Sequence, residues 1–185
     1  SGLWFPGSGW LEPARACTLL ANHPLIQTRF GFRVARIQAE QQQWRLSDGA
    51  GAEITASRLV IAAGHETSAV LSDDGELRLK PIRGQVSRLP ESDYNLPETV
   101  ICGTKYLNPA LNGEAITGAT FDLRDDNPEQ TPESNQANLA ELEELLPSVC
   151  KNGGKSPADL QARVAFRCTT HDYQPVAGAF SPPDA

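Results

Sequence analysis

No apolar run in this chain exceeds five residues, and the longest is Leu59-Val60-Ile61-Ala62-Ala63. That length suits a strand buried on both faces. It is far below the roughly 20 residues a membrane-spanning helix needs, so a transmembrane reading is excluded. The opening residues lack the charged and apolar regions of a secretory signal. Methionine is absent altogether, which leads us to expect that Ser1 lies inside a longer gene product.

With 185 residues, 39% apolar and 21% charged, the composition is that of one folded domain, or one with an appendage. The formal charge is −7, from 16 basic and 23 acidic side chains. A protein that grips nucleic acid through many phosphates leans basic, so this chain alone is poorly suited to that task. Cys17, Cys102, Cys150 and Cys168 show no C-x-x-C spacing and no nearby histidine cluster. They read as buried free thiols of a reducing, cytoplasmic protein, and no zinc site is expected.

Pro13 can open a helix over residues 14–21, which His23-Pro24 ends. Strand character then appears in Leu25–Arg29, Gly31–Ala39, Gln43–Ser47 and Glu53–Ala63, with a turn at Asp48-Gly49-Ala50-Gly51. Asp73-Asp74-Gly75 is a hinge candidate. Beyond it Leu77–Leu89, Thr99–Leu107 and Glu114–Phe121 read as strands, separated by Pro90, Pro97, Asn108-Pro109 and Asn112-Gly113. Asp122–Pro132 is an acidic loop, Pro132–Leu146 a helix capped by Thr131, Lys151–Ser156 a flexible turn, and Asp159–Thr170 a last strand. Pro175, Pro182 and Pro183 punctuate the terminus. Between Asp122 and Leu146 eight acids face only Arg124, so this surface cannot meet a polyanion.

Hydrolytic and dinucleotide signatures are missing: there is no G-x-S-x-G after a strand and no G-x-G-x-x-G. His23, His65 and His171 are widely spaced and follow no metal-ligand pattern. More informative is Leu59–Ala63 running into Gly64, where small residues let a phosphate or ribose approach the main chain; many core strands end this way without binding anything. Gly84 could likewise admit a flat ring or merely relieve a sheet bend. Arg167 lies late in the apolar strand Val164-Ala165-Phe166-Arg167-Cys168, where a cation is costly without an anionic partner. A guanidinium fork matches a carboxylate, and the Tyr106 hydroxyl can add a donor. An internal Arg167–Asp172 pair, with Tyr106 as plain core, fits the same residues.

Taken in order, Gly2-Leu-Trp-Phe-Pro-x-x-Gly-Trp-Leu-x-Pro13, Val34-x-x-Ile37, Leu59-Val-Ile-Ala-Ala-Gly-His65, Gly84-Gln-Val-Ser87, Gly103-x-x-Tyr-Leu-x-Pro109, Ile116-x-Gly-Ala119 and Arg167-Cys-x-Thr-x-Asp-x-x-Pro175 resemble the FAD-dependent D-amino-acid oxidase superfamily. The likeness is greatest to its tRNA wobble-uridine-modifying branch, through the Gly-Trp-Leu, Gly-Gln-Val-Ser and Arg-Cys-x-Thr elements. The resemblance implies non-covalent FAD and removal of the glycine unit, as glyoxylate, from 5-carboxymethylaminomethyl-(2-thio)uridine in tRNA. It implies Arg167 as carboxylate clamp with Tyr106 as helper, Val34 at the adenine side of FAD, and Ala63 and Gly64 near its phosphate and ribose.

The expected architecture is α+β, a mixed, mostly antiparallel sheet flanked by helices. Residues 1–75 would carry part of the FAD-binding portion, 76–171 the substrate-binding domain, and 172–185 a truncated return to the FAD side. The superfamily's glycine-rich phosphate loop and the segment that closes over the flavin are not in this sequence, and neither is a methyltransferase domain. We therefore expect the chain alone to bind FAD weakly or not at all. tRNA contacts would draw on Arg78, Lys80, Arg83 and Arg88, four residues that a solvated face or internal ion pairs explain equally well. Two other functions remain open: a free amino-acid oxidase of the glycine-oxidase type, and a non-catalytic binding or interaction module.

Overall fold

The structure is a computed structural model that describes residues 2–40, 42–71, 77–151 and 155–180. The expected hinge at Asp73-Asp74-Gly75, the centre of the Lys151–Ser156 turn, and Pro182 and Pro183 lie outside the described residues. Helix α1 (Pro13–Ala21) precedes strands β1 (Arg36–Glu40), β2 (Gln43–Ser47) and β3 (Glu53–Ala56), then a short helix α2 (Thr67–Leu71). Strands β4 (Lys80–Pro90), β5 (Ile101–Cys102), β6 (Tyr106–Leu107), β7 (Glu114–Gly118) and β8 (Asp122–Leu123) follow, then helix α3 (Pro132–Leu145) and strand β9 (Ala162–Thr169). The chain divides into two units, residues 1–20 with 82–166 and residues 21–81 with 167–185.

In the second of these units β1, β2 and β3 form an antiparallel meander, with Ile37 opposite Leu46 and Leu46 opposite Ile54. The β2–β3 turn closes on Asp48, whose Oδ1 accepts the Ala50 and Ala52 N–H groups at 2.8 and 3.0 Å, the local bonding that makes aspartate a turn residue. Trp44 stacks on Phe180 with ring centroids 5.7 Å apart. Two expected strands do not form. Leu25–Arg29 begins in a turn, and Leu59–Ala63 is irregular, with Val60 88% exposed. Among the described residues no strand runs beside Leu59–Ala63, and an apolar run becomes a buried strand only with neighbours to receive its main-chain bonds.

In the first unit the sheet runs β5-β6-β7-β4-β8, and β9 pairs with β4. The pairing of β4 with β9 is antiparallel, since Arg88 N–H donates to the Gln161 carbonyl near one end and Thr169 Oγ1 to the Lys80 carbonyl near the other. Leu89, Tyr94, Leu107, Ala115, Leu139, Leu142, Val149 and Leu160 form the core between this sheet and α3. Thr131 caps α3 by accepting the Ser134 N–H at 3.3 Å, as its position before Pro132 anticipates. The buried face of α3 is nevertheless half polar: Asn135 and Asn138 lie beside Leu139 and Leu142, while Ala137 and Ala140 are exposed.

Those asparagines meet a polar row on β4. Asn135 Oδ1 accepts from Gln85 Nε2 at 2.8 Å and Ser87 Oγ at 2.7 Å, and Asn138 Nδ2 donates to the Gln85 carbonyl at 2.9 Å. Arg83, 1% exposed, donates to Asp122 Oδ2, Ser134 Oγ, Gln85 Oε1 and the carbonyls of Asn127 and Glu129 at 2.7–3.2 Å. Burying a cation is tolerable when its donors are satisfied and a carboxylate sits against it. The acidic loop therefore folds inward on Arg83 instead of standing wholly in solvent. Leu142→Ala should lower the unfolding free energy of the chain by about 2–5 kcal/mol, whereas Ala137→Ser on the exposed face should change it by less than about 0.5 kcal/mol. Urea denaturation of the purified chain measures both.

Candidate functional site

Strand alternation sorts the first unit's sheet into two faces. Arg83, Gln85, Ser87 and Leu89 face α3, as do Leu107 on β6 and Ala115 and Thr117 on β7, all buried. Tyr106 is half-buried and Ile116 37% exposed, on the opposite face. In register, Tyr106 lies opposite Gly118 and Gly118 opposite Val86, so the three form one row across β6, β7 and β4.

The glycines of the motifs around this row have packing reasons. A Cβ on Gly118 would lie 3.1 Å from Val86 Cα and 3.2 Å from the Gln85 carbonyl oxygen, and neither backbone atom can give way. A Cβ on Gly103 would lie 2.7 Å from Leu145 Cδ1, so the β5–β6 turn rests directly on α3. Beneath Tyr106, Thr117 Oγ1 donates to the Tyr106 carbonyl at 2.8 Å. Lys105 is 6% exposed; its Nζ donates to the Ala119 carbonyl at 2.9 Å and pairs with Glu141 Oε1 at 3.2 Å. The sequence gives no hint of this buried lysine beyond its place beside Tyr106.

Arg167 lies on β9 and is exposed, with Arg163 and Ala165 on the same outward side of the strand. The penalty for burying its charge, on which the sequence argument leans, does not arise within this chain. Asp172 is engaged locally: Oδ1 accepts the Thr170 hydroxyl at 2.8 Å and the Gln174 N–H at 3.1 Å, and these bonds hold its carboxyl below the usual range. Of the four basic residues considered for tRNA, Arg83 is enclosed and fully engaged, and Arg88 pairs with Glu114 at 3.5 Å; Arg78 and Lys80 are exposed.

Val34 is half-buried just before β1, where the next residue, Ala35, donates its N–H to Ser47 at 2.8 Å. Ala63 and Gly64 are exposed, Gly64 has φ +59°, and a Cβ there would meet nothing within 4 Å. This open main chain leaves room for another molecule to approach closely. His23 Nδ1 accepts the Leu25 N–H at 3.2 Å, a surface role. No group of three or more metal-ligating side chains occurs among the described residues. No helix there is long and apolar enough to cross a membrane.

The thiols differ from expectation. Cys17, Cys102 and Cys168 are exposed and only Cys150 is partly buried. Burial, a hydrogen bond to Glu143 and that carboxylate's charge push Cys150 up to about 11; burial, then the nearby Cys150, Asp93 and Glu143, push Tyr94 up to about 12. Both folded pKa values exceed the unfolded ones, so this stability is complete below pH 9 and lost as pH rises toward 11 for Cys150 and 12 for Tyr94. The urea midpoint should therefore fall steadily above pH 9. At pH 8 a thiol reagent should modify the three exposed cysteines quickly and Cys150 slowly; equal rates for all four would contradict this environment.

With this geometry in place, the comparisons with known proteins carry a definite assignment. Residues 1–184 match the FAD dependent oxidoreductase (DAO) family, and the chain belongs to that family. It is 57% identical over 179 residues to the tRNA 5-methylaminomethyl-2-thiouridine biosynthesis bifunctional protein MnmC of Marinobacter nauticus, and 36% identical over 181 residues to that of Chromobacterium violaceum. Each alignment covers 96% of this chain, but 28% and 27% of those relatives; the chain thus spans little more than a quarter of their length. In fold it is similar to glycine oxidase from Geobacillus kaustophilus, with TM-score 0.63 at 18% identity, covering 80% of this chain and 39% of that one. Iminodiacetate oxidase from Chelativorans follows at TM-score 0.56 and 19% identity, covering 74% and 37%. The α+β class with a mostly antiparallel sheet, expected from the sequence, is the observed one.

Proposed function

We propose that this chain is the substrate-side portion of an FAD-dependent oxidoreductase that acts in tRNA modification. It removes the glycine moiety, as glyoxylate, from 5-carboxymethylaminomethyl-(2-thio)uridine at the wobble position. The observation that carries this reading is the 57% identity to a tRNA-modifying relative over nearly the whole chain. Val34, Ala63 and Gly64 would help to hold FAD, which would supply the hydride acceptor for oxidation of the methylene between nitrogen and carboxylate, and water would then release the glycine unit as glyoxylate. The work of the protein is to hold the carboxylate so that this C–H bond points at the acceptor.

In this reading Arg167 holds the substrate carboxylate through its guanidinium fork and Tyr106 adds a hydroxyl donor. Val34, Ala63 and Gly64 hold the adenine, ribose and phosphate edge of FAD through their main chains. Residues 76–171 serve the substrate, while 1–75 and 172–185 serve the cofactor, in a cytoplasmic polypeptide that also carries the rest of the FAD site and a methyltransferase domain. tRNA is its macromolecular substrate. The length of the relatives supports that arrangement, since they extend far beyond the segment they share with this chain.

In the full-length protein Arg167→Ala should weaken substrate binding by about 2 kcal/mol, the low end for truncating one member of a charged pair, because Arg167 is exposed in this chain. Deglycination kinetics unchanged by that substitution would remove the clamp assignment. Mixed with FAD, the isolated chain should give no yellow stoichiometric complex and no turnover; a stoichiometric complex would show that the chain suffices for the cofactor.

A further inference from the structure

We propose that Lys105 is a positioning residue for Tyr106: its ammonium group, held between the Ala119 carbonyl and Glu141, fixes the β6–β7 pairing that sets where Tyr106 stands. The proposal rests on the reading of Tyr106 as a substrate donor. β6 contributes only Tyr106 and Leu107, paired with Gly118 and Thr117. A ladder this short is weak by itself and leaves the placement of Tyr106 to whatever else joins the two strands.

Two side chains on the α3 side supply that join. Thr117, fully buried, donates its hydroxyl to the Tyr106 carbonyl at 2.8 Å. Lys105, the residue before Tyr106, donates to the carbonyl of Ala119, the residue after Gly118, at 2.9 Å. Each therefore crosses from one strand to the other, on either side of the Tyr106–Gly118 pair. Glu141 Oε1, 3.2 Å from Nζ, ties the same ammonium to α3. Leu107 lies in the core beneath α3, so alternation turns Tyr106 to the other face, where these bonds steer its main chain without touching its hydroxyl.

The chemistry of the residue supports a directional role. A lysine side chain that is only 6% exposed carries a desolvation cost that methionine, of similar length, would not. What lysine adds is a charged donor with fixed acceptors. The segment it grips is also held from its far end: Thr120 Oγ1 and Arg83 Nη1 both donate to Asp122 Oδ2, at 2.7 and 3.0 Å. Residues 118–122 are thus clamped at both ends by enclosed cations, Lys105 toward Tyr106 and Arg83 toward the start of α3.

The test uses the full-length FAD-loaded protein and the carboxymethylaminomethyluridine substrate, with K105M, K105R, Y106F and the K105M/Y106F double variant. K105M should raise KM about tenfold with kcat changed less than about twofold, the pattern of a misplaced binding group. K105R should recover most of the loss. Y106F should raise KM by itself, and the double variant should be no worse than the worse single one, because both act through one group. A purely structural lysine would lower the melting temperature and flavin content but leave KM of the remaining active enzyme unchanged, and that result overturns the proposal while Y106F leaves the Tyr106 reading standing. Unchanged KM in Y106F overturns the Tyr106 reading and this one with it. Fully additive effects would place Lys105 elsewhere and overturn the proposal. Should K105M fail to fold, E141Q, on a half-exposed residue, should raise KM in the same direction, and an unchanged KM there counts against the assignment.

Discussion

The first unit depends on the attachment of α3 to β4 through polar side chains. Gln85 sits at its centre: its amide donates to the Thr131 carbonyl and Asn135 Oδ1, while its Oε1 accepts the Thr131 N–H and an Arg83 N–H. Gln85 thus satisfies the Thr131 N–H at the entry of α3, a half-buried donor that would otherwise lack an acceptor. A hydrophobic contact would tolerate sliding of the helix over the sheet. This arrangement does not, because each donor has a specified acceptor and an error of an ångström leaves several buried groups unpaired. The same helix then presents Glu141 to Lys105 and Leu145 to Gly103, so the register set at Thr131 and Gln85 is carried to the turn that leads into Tyr106.

Much of this was legible in the residues. The Thr131-Pro132 start of α3, the extent of β2 and the Asp48 turn follow from local chemistry alone. The motifs that pointed to the oxidoreductase family also turn out to have internal packing reasons. Gly118 yields space to the β4 backbone, Gly103 yields space to Leu145, and the Gly84-Gln-Val-Ser87 element supplies the polar row beneath α3. Within this chain these residues build the six-stranded sheet and its contact with α3.

What could not be read was whatever depends on partners distant in sequence. Asn135 and Asn138 look like solvent residues on a helix wheel, and only the arrival of Gln85 and Ser87 makes them interior. Arg83 was one of four cations that a solvated face or internal ion pairs explained equally well, and its acceptors come from a loop some 40 residues on. Leu59–Ala63 has the pattern of a core strand but lacks adjacent strands among the described residues, so Val60 is exposed and Leu59 and Ile61 are only half-buried. Arg167 fails the sequence argument for the same reason: neighbours in the chain are apolar, but neighbours along a strand do not enclose a side chain.

In the proposed function the chemistry belongs to a full-length flavoprotein acting on a nucleoside that bears a carboxymethylamino group, and this chain is proposed to shape the side that receives it. The most direct measurement is anaerobic bleaching of the flavin absorbance in that protein, titrated separately with 5-carboxymethylaminomethyluridine-containing tRNA and with free glycine. The account predicts rapid, stoichiometric bleaching by the modified tRNA, with glyoxylate formed, and little by glycine. Bleaching by glycine at equal or lower concentration, or none by the modified tRNA, would contradict it.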